Sequence, residues 1–143
     1  MRRCVAVIFV FPLLKKSVAS IQYIREELIK REAVTDRTGE RIIAGVANYE
    51  YEGSVYPYIL IHKNGDARTV ESFEGTRVLT EYLVISCRAD VYAESDELGN
   101  IVLAILRNDL YPDVESVREL QDASSIVDEE VLFQRQFMIE VTC

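Results

Sequence analysis

Arg77-Val78-Leu79-Thr80-Glu81-Tyr82-Leu83-Val84-Ile85-Ser86-Cys87-Arg88-Ala89-Asp90-Val91-Tyr92 is the stretch that decides the fold. Val78, Thr80, Tyr82, Val84, Ser86 and Arg88 alternate with Leu79, Glu81, Leu83, Ile85, Cys87 and Ala89. Successive side chains of a strand point to opposite faces, so this is the longest strand candidate in the chain. The second set is mostly apolar from Leu83 onwards and is assigned to the core. Near Val78–Tyr82 both sets carry apolar groups, so that end is expected to be covered by something else.

Upstream, Val55–His62 reads as a second strand. Its Pro57 has no N–H for a ladder and belongs at the strand's start or on an edge. Lys63-Asn64-Gly65-Asp66 is a turn signal. Residues 66–76 are polar with few core candidates, compatible with a loop or with one arm of a long exposed hairpin. Further back, Leu14, Val18, Ile21, Ile24 and Leu28 recur with a period near 3.6, which predicts a helix over 13–31 opened by Pro12. The polar stretch Thr35–Gly39 follows it. Downstream, Ser95 and Asp96 are cap candidates for a second helix over 95–110, with Leu98, Ile101, Val102, Ile105 and Leu106 as its buried stripe. Gly99 weakens that helix by about 1 kcal/mol relative to Ala, and Tyr111-Pro112 ends it. Val114–Leu120 is a thin strand candidate, Asp122–Glu130 a polar connector, and Val131–Val141 the closing strand. The expected core includes Val18, Ile21, Leu28, Ile59, Ile61, Leu83, Ile85, Ile101, Ile105 and Ile139.

This order lacks regular β-α-β alternation. It predicts an α+β fold: a mainly antiparallel sheet with two helices packed on one face. At 143 residues the chain is read as one domain, 1–143, with 1–12 as an N-terminal extension. The apolar run Cys4–Leu14 is too short to span a membrane, which takes about 20 residues. Arg2-Arg3 before it and Ser17-Val18-Ala19-Ser20 after it give it the outline of a signal segment, but Lys15-Lys16 interrupt the approach to a cleavage site. Val5–Phe11, rich in β-branched and aromatic residues, reads as a strand or interface segment.

The chemistry offered is sparse. Apolar residues make up 49% and charged residues 28%, and the net charge is −8, the reverse of a nucleic-acid-binding footprint. Cys4, Cys87 and Cys143 have neither disulfide-framework nor metal-ligand spacing and are read as reduced thiols. His62, the only histidine, is expected at the rim of a strand. No glycine-rich phosphate loop is present, so no cofactor is expected. Glu50, Glu52, Glu71, Glu74 and Glu81 are the carboxylates a hydrolase, the enzymatic alternative, would draw on, with solvated faces explaining most of them. Tyr49, Tyr51, Tyr56 and Tyr58 cluster beside Glu50 and Glu52, a pattern shared by a protein-contact patch and by strand packing. No catalytic or metal-binding residue is assigned, and the chain is expected not to be an enzyme.

The order of elements, with the Tyr56-Pro57-Tyr58-Ile59 step, the long strand Gly75–Tyr92, the helix Ile101–Leu110 and the closing Phe133–Val141, resembles the tail-completion, or tail-terminator, proteins of tailed bacteriophages. The resemblance covers residues 13–142 and rests on short structural motifs. It implies a virion protein, made in the host cytoplasm, that forms a ring, usually of six copies. Such a ring ends growth of the tail tube and joins it to the head-side connector or neck. Genome DNA would pass through the bore without specific binding, and no membrane is involved. The run Cys4–Phe11 departs from the pattern, which leaves open another neck or head-completion protein on a related fold, or a small protein-binding adaptor. For a ring protein the segment 66–76 is the candidate for reaching neighbours. Arg68, Val70, Phe73 and Arg77 are therefore expected at an interface, with Tyr49 and Tyr51 as further candidates.

Overall fold

A computed structural model describes residues 16–45, 56–64, 68–71, 77–120, 123–127 and 130–142. Among these, the chain runs α1 (Lys16–Ile29), α2 (Glu32–Thr38), β1 (Ile42–Ala44), β2 (Tyr58–Lys63), β3 (Arg68–Glu71), β4 (Arg77–Ala89), α3 (Tyr92–Ala104), a π-helical turn (Ile105–Asp109), β5 (Val114–Glu119), β6 (Ala123–Val127) and β7 (Glu130–Thr142). The sheet is built from two long hairpins. β2 and β3 lie end to end along one edge of β4, and β5 and β6 lie end to end along the outer edge of β7. Antiparallel pairing of β4 with β7, from Thr80↔Thr142 to Ala89↔Phe133, joins the halves. Among the described strands only β1, on β2, is parallel, so the α+β, mainly antiparallel fold expected from the sequence is the fold observed.

The alternation in β4 sorts its residues as the pattern requires. Leu83, Ile85 and Cys87 share a core with Ile59 and Ile61 of β2 and with Phe137, Ile139 and Val141 of β7. Tyr23, Ile24 and Leu28 of α1, Val34 of α2, and Leu98, Val102, Ile105 and Leu106 of α3 and its π turn close over the same face. Burial of each large aliphatic chain there stabilises the fold by about 1.5–3 kcal/mol. Of the other expected core residues, Ile21 and Ile101 are only partly buried, and the side chain of Val18 lies outside the described set. The opposite face of β2 and β4 is also buried at Tyr58, Leu60, Val84, Ser86 and Arg88, which alternation alone did not anticipate.

Several boundaries differ from the sequence reading, each for a local reason. The first helix stops at Ile29, and three helices rather than two cover the sheet face. Arg31 is extended, at φ −90° and ψ 111°, and α2 restarts the helix so that Val34 reaches the core. Gly39, at φ +59°, then ends α2, a left-handed backbone that favours glycine. The long strand stops at Ala89, and α3 begins at Tyr92 behind an extended Val91. Ser95 is thus inside the helix rather than its cap, and its buried Oγ donates to the Cys87 carbonyl at 3.1 Å. At the other end the helix widens into the π turn, where the Leu110 N–H donates to the Ile105 carbonyl at 3.1 Å. The connector over 122–130 contains a strand, β6. Between 66 and 76, Arg68–Glu71 is the hairpin arm rather than a loop. The N-terminal extension 1–12 and the run Cys4–Leu14 lie outside the described residues.

Candidate functional site

The ladder register places two ribbons beyond the body of the sheet. β4 meets β7 only from Thr80 onwards, so Arg77, Val78 and Leu79 pair with β3 alone, as Arg77↔Glu71, Val78↔Val70 and Leu79↔Thr69. β7 meets β4 only from Phe133 onwards, so Glu130, Val131 and Leu132 pair with β6 alone, as Glu130↔Val127, Val131↔Ile126 and Leu132↔Ser125. Because β4 and β7 are antiparallel, the two overhangs leave the sheet at opposite ends. From Arg77 to the level of Glu130 the ribbon path runs about 50 Å at the usual rise per residue.

The expected interface residues divide accordingly. Arg68 and Val70 lie in β3 and Arg77 in β4, so the first ribbon brings these three together. Tyr49, Tyr51 and Phe73 lie outside the described residues. The second ribbon was not anticipated. Its signal was two short runs, Ser125-Ile126-Val127 and Glu130-Val131-Leu132, separated by two residues, Asp128-Glu129. That spacing is a hairpin cue, masked here by the polar character of the stretch.

Near the second ribbon sits a buried cation that the sequence reading also missed. Arg135, on the helix-covered face of β7, has its side chain only 8% exposed. Its Nη2 and Nε donate to Glu119 Oε1 at 2.6 and 2.8 Å, and its Nη1 donates to Asn100 Oδ1 at 2.7 Å and to the Asp96 carbonyl at 2.9 Å. Its guanidinium carbon lies 5.3 Å from the centre of the Phe137 ring. Gly99 makes this possible, because a Cβ there would stand 2.8 Å from Arg135 Cδ. The glycine that weakens α3 is the opening through which Arg135 crosses the helix.

On the opposite face Arg88 donates from Nη1 to the Tyr58 hydroxyl and from Nε to Gln134 Oε1, both at 3.1 Å. Gln136 Nε2 donates to Ser86 Oγ at 3.0 Å. At the far end of β4, Glu81 is 2% exposed, and neither carboxylate oxygen has a hydrogen bond of good geometry. Burial pushes its carboxyl above the ordinary value of 4.5, with Lys63 and the nearby Ser20 hydroxyl pulling partly back. Burial likewise pushes the Cys87 thiol up to about 12, against the opposing pull of Arg135. A thiol so placed is a poor nucleophile.

Of the carboxylates considered for hydrolysis, Glu71 and Glu81 lie among the described residues, at separate places in the sheet. Glu71 sits opposite Arg77 on the first ribbon, Glu81 is buried under the helices, and Glu50, Glu52 and Glu74 lie outside the described residues. His62 is partly buried, with Nδ1 3.1 Å from the Lys63 carbonyl oxygen. Among the described residues no group of three His, Cys, Asp or Glu is placed to hold a metal ion. No described helix is long and apolar enough to cross a membrane.

The architecture thus defines an α+β protein whose sheet carries a ribbon at each end. No family model matches the sequence, and no curated protein matches it. Among solved structures, the chain is similar to one from a virion of a native gene transfer agent particle, with 14% identity, a TM-score of 0.49, and coverage of 84% of this chain and 92% of that one. No assignment rests on a likeness that distant.

Proposed function

We propose that the chain is a virion structural protein that works through its subunit contacts. In the finer reading it is the terminator ring at the head-proximal end of a phage tail tube. The observation that carries the reading is the first ribbon. Val70 and Arg77 are held on a two-stranded extension beyond the sheet body, with Arg68 at its root opposite Thr80. A lone two-stranded ribbon is marginal in water, so an element of this kind gains its stability from a neighbour. The resemblance over residues 13–142 to tail-completion proteins supplies the tail context. In that setting the chain is not an enzyme and takes no cofactor. It closes a ring of about six copies, contacts the tail-tube protein on one side and the connector on the other, and lets DNA slide through. A net charge of −8 per copy suits a bore that repels DNA.

The test is electron microscopy of the protein mixed with tail-tube protein. Rings seated on one end of tubes of limited length are expected. Tubes that grow as though the protein were absent would overturn the terminator reading. Val70→Ser with Phe73→Ser is expected to leave the circular dichroism spectrum unchanged while abolishing capping. In this reading, desolvating Phe73 at such a contact would contribute roughly 1.5–3 kcal/mol.

A further inference from the structure

The junction between β4 and α3 puts apolar side chains in water. Among the described residues the exposed large apolar side chains are Val91, Tyr92 and Tyr111, at 49%, 54% and 68%. Two of the three are adjacent in the chain, within the exposed run Asp90-Val91-Tyr92-Ala93-Glu94. Tyr92 packs edge-on against Phe133 with ring centres 5.8 Å apart, where β7 takes up its pairing with β4. Val91 also occupies the cap position of α3 and makes no side-chain cap hydrogen bond. Ser, Thr, Asp and Asn are favoured at such a position because their side-chain oxygen accepts an N–H of the first turn. The helix forgoes that contact and presents a valine to water instead.

The junction is held from beneath. Ser95 Oγ fastens the start of α3 to the Cys87 carbonyl, and Arg135 Nη1 donates to the Asp96 carbonyl and to Asn100. Asp90 and Glu94 stand on either side of Val91 and Tyr92 in the chain, both exposed and neither in an ion pair among the described residues. Asp96 and Glu97, further along, are paired with Arg135 and Arg37. Tyr111 differs, because the carboxylates near it in the chain are engaged, Asp109 with Arg31 at 3.8 Å and Asp113 with the Tyr23 hydroxyl at 3.0 Å. Two unpaired negative charges flanking an apolar pair suit a partner that brings the opposite sign. Two half-exposed side chains fall far short of the roughly 800 Å² that each partner contributes to a stable contact of folded surfaces. A short segment is the occupant they can hold.

We infer that Asp90, Val91, Tyr92 and Glu94 form a docking point for a short segment of a different protein, one that presents a large apolar side chain between Lys or Arg residues. The apolar side chain covers Val91 and Tyr92, and the flanking cations face the Asp90 and Glu94 carboxylates. A guanidinium or ammonium group drawn to these carboxylates can also lie over the Tyr92 ring. The start of α3 is already pinned to the sheet, so little ordering is needed when the segment arrives. This deepens the assembly reading, on which it rests only in expecting the partner among the proteins of a particle.

The experiment is fluorescence anisotropy of the full chain with a labelled hexapeptide, Lys-Arg-Leu-Phe-Arg-Lys. Saturable binding is expected, weakening as salt is raised. Two control peptides, one with Glu at every basic position and one with Ser in place of Leu and Phe, are expected not to bind. Tyr92→Ser is expected to weaken binding by about tenfold. Asp90→Asn with Glu94→Gln is expected to weaken it by about threefold and to flatten its salt dependence. Tyr111→Ser is expected to bind as the parent does. Val91→Ser separates docking from folding: as a better cap it is expected to raise the melting temperature, and as a smaller polar side chain to weaken binding. A parent that ignores the basic peptide, or that binds a control peptide as well, would overturn the inference. So would a Tyr111→Ser loss equal to that of Tyr92→Ser, or a folded Val91→Ser protein that binds as the parent does. A chain that caps tubes but ignores the peptide would sink this inference alone. A chain that binds the peptide at this junction yet leaves tube growth unaltered would sink the terminator reading alone.

Discussion

Arg135 and Glu81 are both buried charges on the helix-covered face of the sheet, at its two ends, and they are treated in opposite ways. Arg135 is met by Glu119, Asp96 and Asn100 at hydrogen-bonding distance and lies over Phe137. Glu81 has Lys63 and Ser20 in its surroundings but no hydrogen bond of good geometry. Burying a charge is costly unless the surrounding groups replace its water. One end is therefore locked by a satisfied cation that clamps α3 to β5 and β7. The other end carries a carboxyl that burial drives toward its neutral form.

The sharpest break of this contrast is Arg135→Ala. It leaves Asp96, Asn100 and Glu119 without their shared partner and opens space beside Gly99. A loss of about 2–4 kcal/mol is expected in urea unfolding. Gly99→Ala comes next. On propensity alone it would gain about 1 kcal/mol, but the added methyl meets Arg135 Cδ at 2.8 Å. A net loss of about 1–2 kcal/mol is expected, largely abolished when the change is made in the Arg135→Ala background. Additive losses would show that the glycine serves some other end.

At the opposite end, Glu81→Gln is expected to stabilise the protein at pH 7, by about 1 kcal/mol, the scale of relieving a poorly satisfied buried group. The sign follows from proton linkage. The folded carboxyl titrates above its ordinary 4.5, so the native state holds a proton that the unfolded chain has released, and stability falls as pH rises through that window. The gap between variant and parent should therefore close as pH falls to the ordinary carboxyl range. A gap that stays constant with pH would assign the effect to packing. The smallest effect is kinetic. Cys87, in register with Arg135, is expected to resist thiol labelling in the native protein and to react only on unfolding, as followed by mass spectrometry of its peptide.

Much of the fold was legible because it rests on local periodicity. The β4 alternation identified Leu83, Ile85 and Cys87 as core, and the helical stripe identified Leu28. Pro57 stands immediately before β2, where a residue without an N–H does no harm to the ladder. Less of the site was legible. The polar stretch 122–130 hid β6, because Ala123-Ser124-Ser125-Ile126-Val127 carries no apolar alternation by which a strand could be read. Gly99 was readable only as a helix defect, since the side chain that needs it comes from β7.

By itself the sequence determined which segments have one apolar face, and hence the α+β class, the two long strands and two of the three helices that cover them. Those properties depend on residues two to four positions apart, where chain geometry alone decides which side chains share a face. The tertiary structure decided the rest. It set the register that leaves a ribbon at each end, the burial of the sheet's second face, and which buried charge is satisfied. Arg135 meets groups 16, 35 and 39 residues away in the chain. No local pattern encodes such meetings, because they exist only once separate elements have packed and water has been excluded between them.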